Sequence, residues 1–249
     1  MTAFPQAARA RRATLLGVVC VGLAAGLTAC GEDPDEGTNG VGKLSASAIE
    51  GRAREAARDA EAVRLSGTVV SKGRSYKLDM RLKKGGGTGS VTSRGTMFEL
   101  LRIDDELFMK AGAAFWDHGS APSKSDEAAA GKLEDKYVKV PDGDPAYDQL
   151  RGFTDKDILL DGLLGLHGEL SKGARDQVGG IRTIQVNGGE GKGGKLAVAL
   201  QGLPYPLQLE RAGGAGVVRL ADWDRDFALA APDKDETVDY GQQLPRGSG

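Results

Sequence analysis

The sequence predicts an α+β layer fold, with helices segregated from an antiparallel sheet. Three observations carry that expectation. Between Ser75 and Lys83, apolar Tyr76, Leu78, Met80 and Leu82 alternate with Lys77, Asp79, Arg81 and Lys83, the period-two pattern of a strand with one dry and one wet face. Ahead of it, Ala53, Ala56, Ala57, Ala60 and Val63 recur at spacings of three and four. That is an amphipathic helix with a shallow face suited to close approach to a sheet. The 38 glycines are about twice the usual share and cluster between short apolar runs, as turns joining many strands would.

Taken from the start, the chain carries Arg9, Arg11 and Arg12 and no acid, then turns apolar and small from Leu15 to Leu27. A charged region, an apolar region and small residues before a cut make residues 1–29 a secretory signal peptide. The apolar run of about 13 residues is too short for a bilayer that needs about 20. Arg11-Arg12 also suggests twin-arginine export, but Ala13-Thr14-Leu15 fits that motif poorly and favours the general secretory route. Leu27-Thr28-Ala29-Cys30 resembles the bacterial lipobox. The resemblance implies a diacylglyceryl thioether on the Cys30 sulfur and cleavage just before it. The expected location is the outer face of the cytoplasmic membrane, held by acyl chains at about 0.8 kcal/mol per buried CH₂.

Cleavage at that point moves the formal charge from −2 to about −5, because three Arg and no acids leave. A mildly acidic chain is a poor ligand for nucleic acid or for anionic lipid through electrostatics. Cys20 leaves as well, so Cys30 becomes the sole thiol and the exported domain must be stable without a disulfide. Residues 30–43 read as the lipidated Cys and a flexible tether, residues 44–240 as one domain, and residues 241–249 as a loose tail.

Within that domain, Ser47-Ala48-Ile49-Glu50 reads as a capping box opening the first helix. After the strand at Ser75–Lys83, a turn at Lys84–Gly87 leads to Gly89–Ser93. Met97–Ile103 and Leu107–Lys110 form a hairpin around Asp104-Asp105. Beyond Phe115-Trp116 the chain is polar to Lys136, with an Ala-rich helix candidate. Tyr137–Pro141 is a short strand, and Asp157 leads a Leu-rich helix over Ile158–Leu166. Strands are expected at Ile181–Asn187, Leu196–Gln201, Pro206–Arg211, Val217–Leu220 and Phe227–Ala231, ended by Pro232.

Motifs for chemistry are weak. Gly189–Gly194 matches a phosphate-loop spacing, but Leu196 stands where Ser or Thr would hold Mg²⁺ and a strand follows instead of a helix. It reads as a hairpin loop. Asp222, Asp224 and Asp226 resemble the start of a calcium loop, but Phe227 replaces the required Gly and no Glu closes it. His118 and His167 are isolated, and there is no Gly-x-Ser-x-Gly elbow or Ser-x-x-Lys. No catalytic residue, metal or cofactor is expected.

Several pieces together resemble a known family. Leu101-Arg102-Ile103, the Asp104-Asp105 turn and Glu106–Lys110 look like its repeated strand-turn-strand element. Tyr137-Val138-Lys139-Val140-Pro141 looks like its Trp-Val-Lys-Val-Pro element. Asn187-Gly188, Gly202–Leu209, Asp222-Trp223 and Ala231-Pro232 follow in matching order. The chain is similar to actinobacterial lipoproteins of the LppX/LprG group, which share the LolA fold. The resemblance implies a strongly curved antiparallel half-barrel, helices on its concave face, and an apolar cavity between them for a lipid or another apolar envelope molecule. Candidate lining residues are Tyr76, Leu78, Met80, Leu82, Leu101, Phe108, Leu159, Leu163, Leu207 and Leu209. Plain core packing is the competing reading for each. Tyr137 stands where the family has Trp, the insert after Phe115 is unusually polar and aromatics are few, which bears on the ligand more than on the fold. The competing functions are an envelope scaffold with a filled core and an exported hydrolase.

Overall fold

The computed structural model describes residues 35–71, 73–116 and 131–239. The segment expected as a signal peptide, Cys30, His118 and the residues expected as a tail, 241–249, lie outside the described residues.

Twelve strands and four α-helices with both ends among the described residues carry the fold. The helices are α1 (Ala46–Asp59), α2 (Ala113–Trp116), α3 (Tyr147–Thr154) and α4 (Lys156–Leu163). The strands are β1 (Ala62–Ser71), β2 (Arg74–Lys83), β3 (Gly86–Ser93), β4 (Thr96–Ile103), β5 (Glu106–Ala111) and β6 (Tyr137–Val140). There follow β7 (Leu170–Val178), β8 (Ile181–Gly188), β9 (Lys195–Ala199), β10 (Pro206–Glu210), β11 (Gly216–Ala221) and β12 (Thr237–Asp239). All belong to one open, curved sheet in the order β12-β6-β5-β4-β3-β2-β1-β11-β10-β9-β8-β7. Two runs of consecutive antiparallel strands, β1 to β6 and β7 to β11, are thus joined where β1 pairs with β11. β12 adds to β6 in parallel, so the sheet is mixed. No described helix is long and apolar enough to cross a membrane.

Register decides which side chains share the concave face. Leu65 of β1 stands opposite Met80 and Leu220, Met80 opposite Gly89, Gly89 opposite Leu100, and Leu100 opposite Met109. This row is 0–3 % exposed apart from its glycine, and α1, α2 and α3 pack over the face it belongs to. α1 lies on β7 to β10, α3 on β2 to β4, and α4 touches both helices. Gly89 has to be glycine: its φ is +153°, and a Cβ there would sit 2.1 Å from the Asp79 carbonyl oxygen.

The first helix departs from its expected start and end. Ser45, not Ser47, is the cap, its Oγ accepting from the Ala48 N–H at 3.3 Å. Ile49, Ala53 and Ala57 form the buried stripe. The helix stops at Asp59, and Val63 belongs to β1, which the sequence pattern hides by running its Ala spacing into a strand. At that end Lys156, 4 % exposed, donates to the carbonyls of Arg58 at 2.8 Å and Ala57 at 3.3 Å. A cation on a helix C-terminus is favoured by the helix dipole.

Three further corrections concern elements. α3 was not expected, because Pro145, Gly152 and polar residues mask the buried Tyr147, Leu150 and Thr154. β7 is an edge strand with no buried residue, so it lacks the alternation that reveals a strand. Phe227–Ala231, expected as a strand, makes no ladder. This apolar segment crosses the convex face instead: Phe227 lies 4.6 Å beneath the Arg81 guanidinium, Lys83 Nζ donates to its carbonyl at 2.6 Å, and the Leu229 side chain covers Gly86. It delivers the chain to β12 at the far edge.

Residues 35–43, expected as tether, are packed down. Asn39 Nδ2 donates to the carbonyls of Ala199 and Gly202 at 3.1 and 3.0 Å, Arg182 donates to the Gly37 carbonyl at 3.0 Å, and Arg175 pairs with Asp35. Val41 is buried in a short 3₁₀ turn. Composition alone cannot show this, because the contacts come from residues 130 or more positions away.

Candidate functional site

A cleft of about 790 Å³ lies between α3–α4 and the hairpin of β1 and β2. Its walls are apolar where they are deep. Val69 and Tyr76 come from the paired strands, Phe153 from α3, and Leu159 and Leu163 from α4. Tyr76 and Phe153 meet at 5.5 Å between ring centroids. Helix period explains the α4 pair: Leu159 and Leu163 are one turn apart, while Leu160 and Leu164 turn into the core at 4 % and 3 % exposure. The rim carries Ile158, 53 % exposed, with Val70, Asp148, Gln149, Arg74 and Arg211. Arg211 is held by a 3.3 Å bond from its guanidinium to the Gly162 carbonyl.

The far end of this helix pair is fixed by buried polar contacts. Arg102, 5 % exposed, reaches from the concave face of β4 to the α3–α4 junction. Its Nε donates to Thr154 Oγ1 at 3.2 Å, its Nη2 to the Thr154 carbonyl at 3.2 Å and to Asp155 at 3.4 Å, and its Nη1 to the Asp104 carbonyl at 2.6 Å. Asp155 in turn caps α4, accepting from the Ile158 N–H at 3.1 Å. Arg102 thus ties the α3–α4 junction to β4, and Lys156 ties the start of α4 to the end of α1.

Of the ten apolar residues singled out in the sequence, the structure brings Tyr76, Leu159 and Leu163 together at the cleft. Leu78, Met80, Leu82 and Leu209 share the concave face but are 0–1 % exposed, packed as core beneath the helices. Leu207 is buried at the irregularity where β10 shifts register against β9, apart from the main core cluster. Leu101 and Phe108 require a correction. They pair with each other across β4 and β5 on the convex face, because the register places Leu100 and Met109 inward. The run Met97–Ile103 has apolar residues of both parities, so alternation there cannot choose a face. Sequence reasoning missed Val69, Phe153 and the two rim arginines; the only signal for Phe153 was its three-residue step from Leu150.

The other motifs are engaged in structure. The Gly189–Gly194 loop joins β8 to β9, with the His167 N–H donating to the Gly193 carbonyl at 2.9 Å. The three aspartates of the 222–226 turn have different partners: Asp222 pairs with Arg225, Asp226 with Lys83, and Asp224 accepts from the Glu61 N–H and from the Tyr205 hydroxyl. Tyr205 stacks on Trp223 at 4.7 Å. Burial and the bond to Asp224 hold its phenol well above the usual tyrosine range.

No family model matches the sequence, and no curated protein does. Solved structures do. LprF from Mycobacterium bovis aligns over 75 % of this chain and 96 % of its own, at 17 % identity and a TM-score of 0.51. The lipoprotein LppX of Mycobacterium tuberculosis aligns over 74 % of this chain and 98 % of its own, at 12 % identity and a TM-score of 0.45. The open, curved sheet with helices packed over one face is similar to the fold of LprF.

Proposed function

We propose that the protein is an extracytoplasmic lipoprotein, anchored through acyl chains on Cys30, that binds a lipid or similar amphiphile in the cleft between α3–α4 and the β1–β2 hairpin. The observation that carries this is the cleft itself. Its volume, about 790 Å³, falls within the roughly 300–1,000 Å³ of small-molecule sites, and its deep walls are aliphatic and aromatic. The cleft is half open to solvent and its lining mixes polar and apolar surface, which suits the head and chain of an amphiphile. Arg74 and Arg211 at the rim suit a ligand with an acidic or phosphate head, while Val69, Tyr76, Phe153, Leu159 and Leu163 suit its chain.

Titration of the purified protein with a fluorescent fatty-acid probe, competed by phospholipid, tests the binding. Saturable binding displaced by phospholipid is expected, and absence of saturable binding rejects it. Metabolic labelling with a clickable fatty acid tests the anchor: wild type takes label and Cys30→Ala does not.

A second reading, an envelope scaffold, has one observation in its favour: Leu78, Met80 and Leu82 fill the middle of the concave face. On that reading the cleft binds no lipid and the exposed Ile158 and Val70 meet a protein.

A further inference from the structure

The cleft and the anchored end of the chain lie at opposite ends of the sheet. One end holds the β1–β2 hairpin turn, the 188–194 loop and the 211–215 loop, and here the cleft is lined by Val69–Ser71, Arg74 and Arg211. The other end holds the turns after β2, β4 and β7 and the 200–205 loop. Glu36–Asn39 dock at this second end, through Arg182, Ala199 and Gly202, and Asp35 pairs with Arg175, three residues in from the end of β7. β1 spans ten residues, so the two ends are about 30 Å apart at about 3.3 Å per residue.

From Cys30 to Asp35 the chain reaches at most about 18 Å even when fully extended. An acylated Cys30 therefore keeps the second end beside the bilayer. Exposed apolar side chains occur at both ends, with Val70, Met97, Ile158 and Val217 at the cleft end, so the reach of the tether carries the orientation. Two large apolar side chains, Leu203 at 59 % and Ile181 at 38 % exposed, flank the docking point of Asn39 and Gly37. They sit where a shallow contact with the headgroup–acyl boundary would cover them.

We propose that the edge formed by Leu203, Ile181 and the docked 35–43 segment rests on the anchoring membrane, and that the cleft faces away from it. The ligand is then exchanged with a partner or surface on the far side, not with the bilayer that holds the protein. This inference rests on acylation of Cys30.

With Cys30 acylated and Cys20 removed with the signal peptide, an introduced cysteine is the only free thiol. The full chain, expressed and lipidated in bacteria, carries Leu203→Cys or Ile158→Cys with an environment-sensitive fluorophore. Each is placed on phosphatidylcholine–phosphatidylglycerol vesicles containing a headgroup-nitroxide lipid. Quenching at position 203 is expected to exceed that at 158 by at least about threefold, since interfacial side chains sit within about 5–10 Å of the headgroups. Equal quenching, or stronger quenching at 158, overturns the orientation while leaving the anchor standing. A chain that fails to float with vesicles overturns the anchor and the orientation with it.

Discussion

Gly152 lies on the wall of the cleft within α3, and a Cβ built there meets nothing within 4 Å. Gly152→Phe therefore places a ring in the space assigned to ligand without disturbing packed atoms. The helix is not weakened, since glycine is about 0.8–1.0 kcal/mol less favourable than alanine in a helix interior and phenylalanine less so. If the ring displaces about three methylenes of a bound acyl chain, at about 0.8 kcal/mol each, binding weakens by about 2.4 kcal/mol. That corresponds to roughly 50-fold at about 1.4 kcal/mol per tenfold. The assay is displacement of a fluorescent fatty-acid probe, with thermal unfolding followed by circular dichroism on the same samples. A variant that melts within about 3 °C of wild type yet binds the probe as tightly refutes the placement of the ligand in this cleft.

Lys156→Met keeps the aliphatic stem but removes the ammonium from the Ala57 and Arg58 carbonyls; a loss of about 1–3 kcal/mol, seen as a Tm lower by roughly 3–10 °C, is expected. Arg102→Met leaves Thr154 and Asp155 without their donor, and a loss of about 3 kcal/mol or more should appear in urea unfolding, with Arg102→Lys failing to restore it because one ammonium cannot reproduce the fork. Gly89→Ala forces a Cβ against the Asp79 carbonyl at positive φ, so a cost at or above about 1–3 kcal/mol or failure to fold is expected by the same measurement. Tyr205 has its folded pKa raised by burial first and by Asp224 second. Its contribution is therefore complete below the unfolded value of about 10 and is lost as pH rises through the folded value. Wild type should lose more stability above about pH 10 than Tyr205→Phe, which keeps the ring stack on Trp223 without the titrating hydroxyl.

What the sequence made legible follows from how each element is buried. β2 was plain because one face is core and the other solvent, so its chemistry alternates. β4 was legible as a strand but not in its facing, because Phe98 and Leu100 serve the concave face while Leu101 serves the convex one. Of β1 only Val63 was read, as part of the preceding helix, and β7 was silent because this edge strand has no buried residue. For the cleft, Tyr76, Leu159 and Leu163 could be nominated as apolar residues on elements expected to face each other. Packing alone decides that Met80 and Leu82 fill space while those three border it. Arg74 and Arg211 come from loops that only the β1–β11 pairing brings to one end, and no local pattern announces that.

That same pairing has a consequence for how the molecule is made. The register sets Leu65 against Leu220, so the middle of the sheet is sealed by residues about 155 positions apart. A chain emerging from its N-terminus can build β1 to β5 as successive hairpins, each closing a short loop, and adds β6 after the long connection of residues 112–136. β1 nevertheless keeps an open edge until β11 arrives, and β12 waits longer still to cover the rim of β6. Such non-local closure is slow, and an unpaired edge invites pairing with another chain. Folding of this protein is therefore gated by arrival of its last third. A truncation before Gly216 should leave an aggregating half-sheet instead of a smaller working domain.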